Sequence, residues 1–201
     1  MKYLCLLFVI TCFFRSPAQS IDALLVKYFE QAKEFPNDTV FQRKFFDTFP
    51  DNFALFNSIY GYDKNAGILN VLYDVSHEHI TFFCRLYEII PKTDFFKRII
   101  DVSLGGYWDA DAINSLQMCI QNLFLENTKE AVEVLSTYND ADIKSFWHFF
   151  FDSRIFDHPL NVARYNQMRA RVKAIDLRVF ELMKEQWNYD YAKYLKINNQ
   201  Q

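Results

Sequence analysis

From residue 21 onward the chain repeats apolar side chains at three- and four-residue steps almost without interruption. Ile21, Leu24, Leu25, Tyr28, Phe29 and Ala32 open the pattern, a spacing that puts them on one face of an α-helix. Phe35-Pro36 closes this segment, because the residue before a proline is pushed out of helical geometry. Asn37 or Asp38 then caps a helix carrying Val40, Phe41, Phe45 and Phe46. After Pro50, Asp51 or Asn52 restarts the chain, and Phe53, Phe56 and Tyr60 follow at helical steps. Residues 61–67 read as a loop, and no Asn-Gly type hairpin signal is present.

Further on, Ser76 reads as the cap of a helix through His79, Ile80, Phe83 and Tyr87. Pro91 opens another, with Phe95, Phe96, Ile99, Ile100 and Val102, which Gly105-Gly106 stops. Asp109 or Asp111 starts the next, whose apolar face is Ile113, Leu116, Ile120, Leu123 and Phe124. Asn127 with Glu130 forms a capping-box variant ahead of Ala131, Leu135 and Tyr138. Asn139 or Asp140 begins a helix in which Ile143, Phe146, Trp147 and Phe150 face one way while Phe149 and Phe151 face others, the pattern of a helix covered on most sides. The last and longest helix spans residues 161–196, with Tyr165, Met168, Val172, Ile175, Val179 and Leu182 as a short heptad-like seam. The expectation is an all-α fold: one compact multi-helix domain, residues 21–201, of about eight to ten helices with a long C-terminal helix.

Aromatic side chains are concentrated at residues 45–63, FFDTFPDNFALFNSIYGYD. Their helical spacing predicts core packing for most of them, with the terminal Gly-Tyr-Asp as the exposed part. A mature chain of this length buries around 70% of its unfolded surface and needs no metal to hold a core.

The first twenty residues, MKYLCLLFVITCFFRSPAQS, run from a basic start through a short apolar centre to small residues at Ala18 and Ser20. That order predicts a secretory signal peptide, residues 1–20, cleaved after Ser20. The apolar run is too short for a permanent membrane span, which takes roughly 20 residues. Cys12, which loosely imitates a lipoprotein cleavage site, leaves lipid attachment to the outer membrane as an alternative to a freely periplasmic or extracellular chain. Removing the leader takes Lys2 and Arg15 and no acid, so 22 basic residues become 20 against 25 acidic ones and the net charge is −5. That balance argues against nucleic acid as a partner. Cys84 and Cys119 are the cysteines left after cleavage, either bridged or held as two buried thiols.

Chemistry-bearing motifs are sparse. His77-Glu78-His79 lacks the four-residue histidine spacing of helical zinc sites, so no metal is expected. Neither cysteine has a setting that lowers a thiol pKa, and no Gly-x-Ser-x-Gly elbow or phosphate-cradling loop occurs. The pairs Asp109/Asp111 and Asp140/Asp142 precede apolar helical runs and read as caps. No cofactor and no catalytic residue is assigned. Three features remain as partner-binding candidates. Two loops set aromatics beside glycine and aspartate, Tyr60-Gly-Tyr62-Asp63 and Gly105-Gly-Tyr107-Trp108-Asp109. Arg164, Arg171 and Arg178, spaced by seven, would line one edge of the last helix as a basic rail, or pair with acids of neighbouring helices.

Residues 35–56 (FPNDTVFQRKFFDTFPDNFALF), Ile59-Tyr-Gly-Tyr62, Trp108-Asp-Ala-Asp-Ala-Ile113 and Ile143-Lys-Ser-Phe-Trp-His-Phe149 resemble segments of secreted helical Bacteroidales proteins, the immunity proteins of type VI secretion effectors. The resemblance implies a periplasmic, non-catalytic binder that occludes a cognate toxin protein and carries no transferable catalytic residues. The rival readings are a secreted helical hydrolase working through Asp and Glu, and a general envelope binding module.

Overall fold

The computed structural model describes residues 20–63 and 66–199. The expected leader up to residue 19, with Cys12 and its alternative lipid site, lies outside the described residues. Among those described, the chain forms ten α-helices and one small antiparallel hairpin, an all-α architecture as the periodicity predicts. The helices are α1 (Ile21–Glu34), α2 (Thr39–Thr48), α3 (Phe53–Tyr60), α4 (Ser76–Arg85), α5 (Lys92–Ser103), α6 (Ala112–Glu126), α7 (Thr128–Leu135), α8 (Asp140–Phe151), α9 (Pro159–Ile175) and α10 (Leu177–Asn198). Between α3 and α4 lies the hairpin, β1 (Tyr62–Asp63) and β2 (Ile68–Leu69), whose first strand falls inside the expected loop, residues 61–67, and whose second follows it directly.

Three of the expected caps form. Asp38 accepts a hydrogen bond from Val40 N, Asn52 from Leu55 N and Asn139 from Asp142 N, each at 2.9 Å. The other three do not. Ser76 is already helical, and Val75 takes the capping position with no side-chain bond. Asp111 stands at the start of α6, but its carboxylate accepts from the Tyr73 hydroxyl instead of a helix N–H. Asn127 makes no capping bond either, since its amide donates to Leu123 O at 3.0 Å and accepts from Tyr87 Oη.

One continuous helix over residues 161–196 was the expectation, and the chain instead reverses at Asp176. Tyr165 and Trp187 stack with ring centroids 4.1 Å apart, whereas 22 residues of straight helix would separate them by roughly 33 Å. Asp176 adopts an extended conformation and accepts from Val179 N at 2.8 Å, so one residue ends α9 and caps α10. The seam residues still point inward, buried at Tyr165, Met168, Val172, Val179 and Leu182. They face a fold-back between two helices, not one long seam.

α8 sits at the centre, against α5, α6 and α10. Phe146, Trp147, Phe149, Phe150 and Phe151 are all buried, as their distribution around the helix requires. The last carbonyls of such a helix have no intrahelical partner and no water. Amides from two neighbouring helices supply the donors. Gln117 Nε2 donates to Phe149 O and Asp152 O, Gln121 Nε2 to Phe150 O, and Asn161 Nδ2 to Phe151 O and Phe156 O. These three buried polar residues fasten α6 and α9 to the end of α8.

Of the seven aromatics in residues 45–63, six are buried in the core and Tyr62 is exposed. Phe49 and Phe83 stack at 3.9 Å, and Phe46 stacks on Phe83 and Phe95. From Phe96 the ring contacts pass through Phe124 to Phe146 and Trp147, then by Phe151 to Tyr165 and Trp187. One aromatic core therefore runs from α1 to α10. Cys84 on α4 and Cys119 on α6 are bridged, which settles the open choice between bridge and free thiols.

His79 from the His-Glu-His motif is part of this core, ringed by Phe29, Phe45 and Tyr60. Burial keeps the Tyr60 phenol protonated, so it donates to neutral His79 Nδ1 across 3.0 Å. Burial also lowers the His79 pKa to about 4, with Glu30 raising it slightly and Lys33 lowering it. The unfolded chain then binds a proton near pH 6.5 that the folded chain refuses until about pH 4, so stability falls as pH drops through that window. The shift corresponds to at most about 3 kcal/mol. His148 has the opposite sign. Its bond to Asp190 at 3.0 Å raises its pKa, and the resulting stability is complete below pH 6.5 and lost as pH rises through the raised value. Urea midpoints measured from pH 6.5 to pH 4 are expected to fall, and His79→Gln is expected to flatten that slope while His148→Gln leaves it in place. An unchanged slope in the His79 variant would remove this account.

Candidate functional site

The first of the two aromatic loops is built on the end of α3. Gly61 follows that helix so closely that a Cβ there would lie 2.7 Å from the Asn57 carbonyl oxygen and closer still to its side chain, so only glycine makes the turn. The returning strand is tied back to the helix by Asn70 N to Gly61 O at 3.1 Å, Leu72 N to Ile59 O at 3.0 Å and Asn70 Nδ2 to Asn57 O at 2.7 Å. Leu72 is buried beneath. Above this foot Tyr62 pairs with Leu69 and Asp63 with Ile68, so both faces of the hairpin carry apolar side chains. Exposure is 43% for Tyr62, 58% for Ile68, 51% for Leu69 and 67% for Val71.

The second loop is held from below. A Cβ on Gly106 would lie 2.6 Å from the Phe149 ring and 2.9 Å from Phe53, so the backbone itself packs on the core here. Gly105 N donates to Ser145 Oγ at 2.8 Å and Trp108 N to Asp152 Oδ2 at 2.6 Å. Tyr107 is exposed and sets its ring edge-to-face on Phe53, centroids 5.1 Å apart.

The two loops meet. Tyr73, just beyond the hairpin, donates its hydroxyl to the carboxylate of Asp111, just beyond Trp108. That bond, with the charges of Asp74 and Asp109, raises the Tyr73 pKa. Asp111 has φ of 60°, a backbone that β-carbon residues rarely adopt. Tyr73, four residues past the end of the hairpin, thus stands among the carboxylates of Asp74, Asp109 and Asp111.

The other candidates separate. Tyr60 is fully buried in the core and is not available to a partner, which corrects its assignment to the exposed loop. The basic rail is likewise not free. Arg171 donates to Leu125 O at the end of α6, and Arg178 donates to Ser136 O, Tyr138 O and Asp140 just past α7. Both serve the negative ends of those helices. Arg164 differs, being half-buried with no hydrogen bond or ion pair among the described residues, and it shares with Trp108 a cavity of about 350 Å³.

Periodicity missed Ile68, Leu69 and Val71. The apolar run Ile68-Leu69 followed by Val71-Leu72, directly after the expected loop of residues 61–67, was the available signal. Among the described residues no group of three His, Cys, Asp or Glu is placed to hold a metal ion, and no helix is long and apolar enough to cross a membrane. Asp111 and Asp140 are engaged with Tyr73 and Arg178. Compared with known proteins, the chain matches no family model, no curated protein and no solved structure.

Proposed function

We propose that this chain is an exported, periplasmic immunity-type protein that binds a cognate antibacterial toxin and occludes it without catalysis, with the hairpin as its main contact. The observation that carries the reading is the cluster of four exposed apolar side chains, Tyr62, Ile68 and Leu69 on a hairpin of two-residue strands and Val71 just beyond it, footed on α3. Monomeric proteins seldom spend so many large apolar groups on a projecting element without a partner to cover them. The scaffold under it is rigid, so little entropy is lost when it docks. The disulfide supports export, because such bridges persist in oxidising compartments. Asp74, Asp109 and Asp111 around Tyr73 suit a basic toxin surface, which they would steer into contact. An occluding interface of this kind covers roughly 1,200–2,000 Å².

The test uses the mature chain, residues 21–201, purified together with the product of the neighbouring gene, followed by growth on periplasmic expression of that product. A tight complex and rescue of growth are expected. Ile68→Asp with Leu69→Asp is expected to weaken the complex at least 100-fold with an unchanged melting temperature, since both positions are exposed. A stable neighbour that neither binds nor kills would overturn the reading, and a complex indifferent to the double variant would move the interface elsewhere.

A further inference from the structure

The cavity between the Trp108 loop, α6 and the start of α9 combines features that the toxin reading does not use. Its volume, about 350 Å³, is within the range of small-ligand sites. Arg164 lines it, and among the described residues nothing pairs with the guanidinium, in contrast to Arg171 and Arg178 one and two heptads further on. Burial alone lowers its pKa, the signature of a cation that has lost water and gained no counter-charge. Such a cation costs free energy until an anion joins it. Asn161, buried on the same wall, spends its amide N–H groups on Phe151 O and Phe156 O, which fixes the start of α9 and with it the position of Arg164.

The rest of the lining sets the ligand's shape. Trp108 offers an indole face, and Met118, Ile155 and Leu160 are exposed apolar groups around the opening. Arg154 adds a second guanidinium, while His158 accepts from Leu160 N at 3.3 Å and caps α9. The one carboxylate in the lining, Asp152, already accepts from Trp108 N, which holds it in place. A guanidinium is a planar two-pronged donor and matches a carboxylate in geometry as well as charge.

We propose that this cavity binds a carboxylate carried on an apolar body, with Arg164 holding the anion and Trp108 packing against the apolar part. The site is separate from the hairpin and stands whether or not the chain neutralises a toxin. The same chemistry could arrive as a free organic acid or as the C-terminal carboxylate of a peptide.

Phenylacetate titrated into the mature chain tests it, read by the indole N–H resonance of Trp108 in a two-dimensional NMR spectrum. Trp147 and Trp187 are buried in the core and serve as internal controls. A saturable shift confined to Trp108 and its neighbours is expected, together with at least tenfold weaker binding in Arg164→Met and no binding of phenylacetamide. Because Arg164 makes no hydrogen bond or ion pair among the described residues, the variant is expected to keep or raise its melting temperature, so loss of binding is not loss of fold. Peptides ending in phenylalanine, with a free or an amidated C-terminus, then separate the sources. Tighter binding of the free peptide than of phenylacetate assigns a protein-borne carboxylate, and the reverse assigns a small acid. Equal shifts from phenylacetate and its amide, an undiminished response in Arg164→Met, or no saturable response to either phenylacetate or the free peptide overturns the proposal.

Discussion

Replacing Cys84 and Cys119 together by alanine is expected to lower the unfolding free energy by about 4 kcal/mol. The bridge closes a loop of 35 residues between α4 and α6, and the loop-entropy relation for that length gives this value. For a chain of this size the melting temperature should drop by roughly 8–16 °C. Neither sulfur is sealed in the core, since both cysteines are partly exposed. A thiol reductant should therefore reach the bridge and reproduce the effect on the unmodified chain. The two measurements cross-check each other: a reductant-induced drop in the wild type that the double alanine variant lacks identifies the bridge as the cause. If the reduced and oxidised chains melt together, α4 and α6 are held by their packing and the bridge contributes nothing in solution.

Phe124→Ala is expected to cost a similar amount, about 4 kcal/mol, for a different reason. Phe124 joins the two halves of the aromatic core, with Phe96 on one side at 5.6 Å and Phe146 on the other at 4.5 Å. Its ring is fully buried, so the variant loses both the transfer free energy of the ring and the contacts around the void left behind. α6 is also pinned to α8 by Gln117 and Gln121, which prevents the helices from closing over the gap. Urea denaturation should show a lower midpoint with unchanged slope. Phe124→Leu keeps most of the volume and should lose less than half as much. Tyr62→Ala, removing an exposed ring from the hairpin, should change stability by less than about 0.5 kcal/mol. A Phe124→Ala variant that is no weaker than Tyr62→Ala would show that the aromatic core is not continuous.

These effects differ from the functional tests in where they act. The disulfide and Phe124 hold the scaffold, whereas Ile68 and Leu69 contribute little to it because they are exposed, and Arg164 because it makes no hydrogen bond or ion pair among the described residues. Substitutions at the hairpin and in the Arg164 cavity should accordingly separate binding from folding. That separation is what makes the surface readings testable.

The helices and most of their inward faces were legible in the sequence because helical order is local. A residue meets its neighbours three and four positions away, and the apolar stripe shows in the spacing itself. The caps at Asp38, Asn52 and Asn139 were legible on the same terms, each acting on an N–H two or three residues on. At two of the three failed caps a distant group had taken the side chain, Tyr73 taking Asp111 and Tyr87 taking Asn127, each from roughly forty residues away, while Ser76 was drawn into the helix itself. Tyr60 was misplaced because its glycine neighbour suggested a loop, while the ring turns back to His79, nineteen residues on.

The sequence by itself determined an all-α chain, the face each helix buries, and an aromatic core in which residues 45–60 take part. It also determined that Cys84 and Cys119 were candidates for pairing. Only the tertiary structure decided that they pair, that the last helix folds back at Asp176, that Arg171 and Arg178 serve helix ends while Arg164 has no hydrogen bond or ion pair among the described residues, and that two separate loops meet through Tyr73 and Asp111. The reason is that burial follows from periodic local pattern, whereas the identity of a contact depends on which faces meet once the chain has reversed direction, and no short window of residues carries that information.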